Sequence, residues 1–440
     1  MTRKAMLTAA STFVLFQTAA LAQTHVTLLF WPGPESEAMQ KVISSYNAGQ
    51  GKKDGVSVEQ ILFSRQGYFD KEQTDLAAGS KDFDLALVTT YSLGRYAPYL
   101  EPLGSYTNKA GIQAFLPSAV QSLSFKGNLY GVPTDVSNHF TYYRKDLTDR
   151  LMTDAAWKTK YGEITLKLLG KKMAPKAPAD WTWDDYVAVS LFFTKSINPD
   201  SPTQYGTSLQ AKNLIFNVML WQAALVSNGG NLYDKNGKPS INSPAGIKAV
   251  NYYATIFKNK ATPPGSGNYE YAETNEALRS GQAATALQWS AAYHELSDPK
   301  LSPLIADKIA IAPMPAGTLG HRTHVHSLGI GMNKNSVNKA AAGKFLAYLG
   351  SVPAMTVYAG AGGLPPVGSV LTNMAKTRPE FPMVASSVEK YGFVVAGGTA
   401  PYAVPVYEVL ARELSAAWIG SKSPAAALSA AETDMAKLAK

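Results

Sequence analysis

Apolar and polar positions alternate in blocks of two kinds along this chain. HVTLLFW (25–31) gathers β-branched and large apolar residues in one short run closed by Pro32-Gly33-Pro34, which predicts a buried strand. Ser36 to Tyr46 repeats at helical spacing, and VSVEQILF (56–63) predicts a second strand. Phe69 to Ala78 is helical again and ends at Gly79, and FDLALVTT (83–90) predicts a third strand. Strand, helix, strand, helix, strand at this spacing implies a parallel sheet with right-handed crossovers. Ligands of such sheets sit beyond the carboxyl ends of the strands. Here those ends are Trp31 to Glu35, Ser64 to Tyr68 and Thr89 to Tyr91, each polar or aromatic where a plain loop needs only Gly, Asn or Asp.

YGVPTDVSNHFTYYRKDL (130–147) departs from both patterns. An extended start leads through Pro133 into a polar run, Asp135 to His139, before a strand-like path resumes at Phe140 to Tyr143. A polar interruption inside such a path fits either an ordinary loop between two strands of one sheet or a segment leaving one unit for another across a wet cleft.

The second half is richer in helices. WTWDDYVAVSLFFT (181–194) has Thr182 in N-cap position with acids in its first turn. A helix over 212–227 stops at Asn228-Gly229-Gly230, 231–242 is expected to be a hairpin turning at Asn236-Gly237, and Ser243-Pro244 starts a helix to Phe257. Further helices are expected at 272–280, 338–349, 353–358 and 424–439, with strands at 284–289, 308–315 and 324–332. The glycines of HVHSLGIGM (324–332) predict close backbone approach there, and GAGGLPPVGSVL (360–371) a rigid turn.

With 440 residues, the chain exceeds one ordinary core, so two or more units are expected. The N-terminus carries Arg3 and Lys4, an apolar run from Met6 to Ala20 and Ala20-Leu21-Ala22, which together read as a cleaved signal peptide over 1–22. There is no cysteine, which excludes disulfides, Cys-ligated metals and lipidation of a cysteine, and makes a free periplasmic protein the expectation. Without Arg3 and Lys4 the formal charge falls from +9 to about +7, scattered rather than striped, so no nucleic-acid partner is expected.

Taken in order, the segments 130–147, TWDDYVAVSLFFT (182–194) and NGGNLYDKNGKPSINSPAGIKAVNYYATIF (228–257) resemble a known family. So do EALRSGQAATALQWSA (276–291), LGIGMNKNSVNKAAAGKFLAYLGS (328–351) and GGLPPV (362–367). The family is the bacterial extracellular solute-binding proteins of ABC importers, in the carbohydrate-binding group related to maltose-binding protein. The resemblance implies an α/β, two-lobed, type II periplasmic binding protein with three hinge crossings, near 131–139, near His326 and Ser327, and near Pro365 to Gly368. It divides the mature chain into an N-terminal lobe of 23–135 and 327–366 and a C-terminal lobe of 136–326 and 367–440. It implies a monomer that captures a sugar or polyol without cofactor or catalysis. The captured solute passes to the transmembrane subunits of a permease, and ATPase subunits act indirectly.

A sugar or polyol offers hydroxyls in fixed geometry and apolar C–H faces, which aromatic rings and paired carboxylates or amides answer. The candidates on the first lobe are Trp31, Glu35, Tyr68, Thr89 and Tyr91, with Asp135 and Asn138 on the first crossing. Placed by the family pattern, Trp221, Trp289, Tyr293 and Tyr407, with Tyr402 beside it, are expected on the second lobe, and His326 and Gly363 at the other crossings. Each has a plainer alternative: Trp31 and Trp221 as core, Glu35 as a favourable first-turn acid, and His326 as a satisfied structural histidine.

Two rival classes fit less well. A glycoside hydrolase needs two carboxylates flanking one bond, and no local acidic arrangement singles out such a pair. A ferric-ion-binding protein of similar two-lobed form would use neighbouring tyrosines, but Tyr142-Tyr143 lies in a strand and Tyr252-Tyr253 in a helix, where neighbours face apart.

Overall fold

The computed structural model describes residues 23–107, 109–395 and 399–438. The expected signal segment, 1–22, lies outside the described residues.

Apolar strands build one sheet from the first third of the chain. Thr24–Phe30 pairs in parallel with Val56–Leu62 on one side and Leu85–Thr89 on the other, as the alternation of strands and helices predicts. Leu85–Thr89 is buried along its whole length, which is why it reads as a continuous apolar run. The sheet is completed from a distance: His326–Asn333 runs antiparallel to Leu85–Thr89, and Val132–Ser137 runs antiparallel to His326–Asn333. The glycines there serve close approach, since a Cβ on Gly329 would stand 2.4 Å from Leu123 Cδ1 and 2.8 Å from Val132 O. Helices Pro34–Ala48 and Val352–Gly360 pack together over this lobe.

A second sheet holds Ile309–Pro313, His139–Arg144, Ala283–Trp289 and Tyr205–Ser208 in that order. Helices Trp183–Phe192, Ile215–Ser227, Pro244–Lys258, Ala403–Trp418 and Pro424–Leu438 surround it. Thr182 caps the first of these, its hydroxyl accepting from Asp185 N while the Asp185 carboxylate accepts from Thr182 N, a reciprocal capping box. The apolar residues of Ile215–Ser227 occur on every side because the helix is buried almost all round. One expected element is reduced: residues 231–242 form a turn with a single bridge, Tyr233 to Pro239, and no strand pair.

The two sheets fix where the chain changes lobe. Val132–Ser137 belongs to the first sheet and His139–Arg144 to the second, so the first passage is the single residue Asn138. The polar run starting at Asp135 is therefore mostly strand of the first lobe, and the expected division at 135/136 falls inside a paired strand. On the second passage His326 already pairs with Ser137 in the first sheet. On the third, Val136 N donates to Leu364 O at 2.9 Å, and Leu364 N to the Asp135 carboxylate at 2.9 Å.

Candidate functional site

Three backbone passages lie side by side, stitched by hydrogen bonds from polar residues. Asn138 O accepts from Ser290 N at 2.9 Å, and His139 N donates to Thr323 Oγ1 at 2.9 Å. The Asp135 carboxylate accepts from Ser137 Oγ at 2.7 Å, Leu364 N at 2.9 Å and Tyr358 OH at 3.1 Å. Burial, and then the Glu35 carboxylate, push its pKa up to about 7. All three donors come from the protein, so Asp135 joins the first passage to the third and is turned away from a ligand. This corrects the expectation that it bridges hydroxyls.

Between the lobes lies a narrow chamber of about 10 Å³, room for about one water as the lobes stand. The first lobe supplies Trp31, Pro34 and Glu35 from the end of its first strand, and Arg65 from the end of its second. The second lobe supplies Phe216, Tyr271 and Trp289, and His326 stands at the second passage. Glu35 sits in the first turn of Pro34–Ala48, so the helix-start reading and the cleft reading of that residue are compatible.

Aromatic edges meet across the two lobes. Trp31 and Phe216 have ring centroids 5.6 Å apart at 77°, within the range of favourable edge-to-face pairs. Trp289 lies opposite His139 in the strand register, with ring centroids 4.1 Å apart, and its ring is 4.9 Å from that of His326. Tyr91 bridges His326 at 5.6 Å and Tyr407 at 6.0 Å. The Arg65 guanidinium lies 4.4 Å from the Phe216 ring centroid and 5.2 Å from that of Trp31, and its Nε is 3.0 Å from Glu270 Oε1.

Polar atoms without protein partners gather in and behind this chamber. They include Trp31 Nε1, Glu35 Oε2, Tyr271 OH and His326 Nδ1. Tyr91 OH, Tyr407 OH, both Asn138 amide atoms and both His139 ring nitrogens extend the set inward. A buried polar group left without a partner costs about 1–3 kcal/mol, so such a concentration is a feature that a hydroxylated ligand offsets. Burial holds the imidazoles of His139, His324 and His326 neutral, His324 down to about 3. Each neutral ring offers one donor and one acceptor nitrogen, the pairing that a hydroxyl also has.

The remaining expected residues divide. Tyr68 is turned into the first lobe, its hydroxyl donating to Leu29 O at 3.1 Å and Leu87 O at 3.4 Å, because the first turn of its helix faces the sheet. Thr89 donates to Ser92 Oγ at 3.0 Å and accepts from Ser92 N at 3.1 Å, closing a local turn. Trp221 is fully buried in its helix, with Nε1 unpartnered and no place among the chamber residues. Tyr293 is half-buried outside the chamber, and Tyr402 lies against Tyr233 instead. Gly363 has no room to face a ligand: a Cβ there would stand 2.0 Å from the Tyr358 ring, and its carbonyl accepts from Arg378. Trp31, Glu35, Tyr91, Asn138, Trp289, His326 and Tyr407 are brought together.

Sequence reasoning missed Arg65, Phe216, Tyr271 and the histidines 139 and 324. Arg65 stands in the strand-end loop 64–68 already singled out, three residues before Tyr68; Phe216 gives no signal within an all-apolar helix.

Comparison with known proteins supports the fold. The maltose-bound MalE3 of T. maritima superposes with a TM-score of 0.78 at 24% identity, over 94% of this chain and 99% of that one. A solute-binding protein of Agrobacterium radiobacter K84 in complex with ribitol gives 0.78 at 23% identity, over 95% and 99%. In sequence, the mannitol-binding protein of Pseudomonas aeruginosa is 26% identical over 55% of this chain and 50% of its own length. A probable amino-acid ABC transporter periplasmic-binding protein of Sinorhizobium fredii is 24% identical over 93% and 89%. These structures share the overall fold of this chain, and the sequence profile described as bacterial extracellular solute-binding protein matches residues 32–356. The chain belongs to that family.

Proposed function

We propose that this protein is the periplasmic receptor of an ABC importer and captures a sugar or polyol between its lobes. The observation that carries this reading is the chamber itself, where aromatic faces from both lobes surround unpartnered donors and acceptors. Rings answer the C–H faces of a carbohydrate and the polar atoms answer its hydroxyls. Relatives described as binding ribitol, maltose and mannitol support the ligand class. Strand pairing supports lobe boundaries with hinges at Asn138, at Val325 and after Leu364. A ligand touching both lobes favours the closed state by its differential affinity, and the closed state is what a permease would read.

Binding without turnover is part of the proposal. Glu35 and Arg65 are the charged side chains among the chamber residues, whereas glycoside hydrolysis uses two carboxylates about one bond. The charge of Arg65 is answered by Glu270, which argues against an amino-acid ligand needing a free cation for its carboxylate.

A thermal-shift screen of monosaccharides, sugar alcohols, oligosaccharides and amino acids tests the reading. At least one carbohydrate should raise the melting temperature in proportion to the logarithm of its excess over Kd. Stabilisation by amino acids alone would remove the carbohydrate assignment, and sugar hydrolysis would remove the receptor assignment.

A further inference from the structure

Glu270 lies outside the chamber, yet its carboxylate is the second-lobe partner of Arg65, which borders the chamber. Its Oε1 stands 3.0 Å from Arg65 Nε, and the two side chains are 19% and 20% exposed. The other ion pairs among the described residues each stay within one lobe, so this pair alone joins the two. The residues on either side of Glu270 are tied down: Tyr269 O accepts from Asn217 Nδ2 at 3.2 Å, and Tyr271 O from Gln288 Nε2 at 3.0 Å. The carboxylate is therefore carried on backbone fixed to the second lobe.

The first lobe presents Arg65 from the loop after Val56–Leu62. Its guanidinium lies 4.4 Å from the ring centroid of Phe216 on the second lobe and 5.2 Å from that of Trp31 on the first. Arg65 thus holds two second-lobe groups at once, a charge and a ring face. Both contacts are lost when the lobes part, because their two sides ride on different lobes. Water screens a pair one-fifth exposed only in part, so it is worth what a favourable surface pair is, about two- to fivefold in an equilibrium.

We propose that Glu270 is a positioning residue for capture: through Arg65 it latches the mouth of the cleft and contributes to closure whichever solute is held. The inference rests on the receptor reading above. A contact made only in the closed state multiplies the closed-to-open ratio. Where the open state dominates, it multiplies the apparent affinity of every solute by the same factor. A residue that touches the solute acts differently, changing affinity for one solute and not another. An ionic contact also fades with salt, as the Debye length shortens from about 30 Å at 0.01 M to about 3 Å at 1 M. An uncharged sugar or polyol brings no charge of its own to that response.

The chain has no cysteine, so cysteines replacing Lys52 and Lys158, exposed on helices of opposite lobes, can carry a fluorophore pair that reads lobe separation. Without solute at about 0.01 M salt, Glu270→Gln should lower the closed-to-open ratio about two- to fivefold. Raising salt to about 1 M should bring the wild type down to the level of the variant and leave the variant unchanged. Glu270→Asp, which keeps the charge, should recover part of the ratio and separates loss of the latch from loss of folding. Calorimetry with the carbohydrates found by thermal shift should show every affinity reduced in Glu270→Gln by one common factor of that size. Equal ratios in the wild type and a folded Glu270→Gln would overturn the latch. A loss confined to one solute would overturn the positioning role and make Glu270 a ligand contact. Failure of every carbohydrate to bind would remove the sugar reading alone, since the lobe separation is read without solute and still decides the latch.

Discussion

The imidazole of His139 meets the indole of Trp289 edge to face, with ring centroids 4.1 Å apart at 75°. The two residues are cross-strand partners, one just past the first passage and one at the end of a buried strand. Cross-strand pairs of this kind fix side-chain position at both ends. The indole is thus fixed by the hinge and presented to the chamber.

Trp289→Ala is expected to weaken ligand binding at least tenfold, about 1.4 kcal/mol, measured by calorimetry. Because Trp289 is only 7% exposed, truncation should also lower stability by about 3–5 kcal/mol. Trp289→Phe keeps most of the buried ring and separates the two effects. Wild-type affinity in both variants would exclude Trp289 from ligand contact.

Tyr68→Phe is expected to act on stability alone. The hydroxyl joins two strands of the first sheet through Leu29 O and Leu87 O, and its removal should cost about 1–2 kcal/mol in urea unfolding. Ligand affinity should change less than twofold. A larger change would return Tyr68 to the site.

Asp135→Ala should cost about 2–4 kcal/mol, because it leaves Ser137 Oγ, Tyr358 OH and Leu364 N without their acceptor. Chemical denaturation measures the loss. A change below about 0.5 kcal/mol would contradict the stitch between the first and third passages.

The pH dependence of stability should move in opposite directions for two variants. His324 has a folded pKa of about 3, below the ordinary imidazole value of about 6.5, so the unfolded chain binds the proton more readily. Its contribution is present above pH ~6.5 and is lost as pH falls toward 3. Asp135 has a folded pKa of about 7, above its unfolded value, so its contribution is present below pH ~4 and is lost as pH rises through 7. From pH 8 to pH 5, His324→Gln should therefore gain stability relative to the wild type, whereas Asp135→Asn should lose it. Denaturation midpoints at pH 8, 6.5 and 5 measure both trends. Parallel curves would show that neither group has the shifted affinity.

The elements were legible in the sequence because their causes are local. Strands such as Thr24–Phe30 and Leu85–Thr89 announce themselves by apolar runs, and helix Trp183–Phe192 by its Thr182 cap. The first passage was expected from the family resemblance of segment 130–147, since its polar interruption alone would equally suit a loop between two strands of one sheet. The choice among polar residues within it was not legible: Asp135 and Asn138 can both accept from a hydroxyl and lie three positions apart. One is saturated by donors from residues 358 and 364, and the other is left bare at the break.

Pattern along the chain thus determined which segments are strands and helices and their order, while the division into two lobes was implied by the family resemblance of the ordered segments. Burial periodicity acts over a few residues, and the sequence displays it directly. Tertiary structure alone decided that Arg65 and not Tyr68 reaches the chamber, that Phe216 of a uniformly apolar helix faces the other lobe, and that three histidines cluster behind Trp289. Several of those outcomes depend on contacts between residues more than a hundred positions apart, such as Trp31 with Phe216 and His139 with His324. No local preference specifies them, because they are set by which faces the packed lobes turn toward each other.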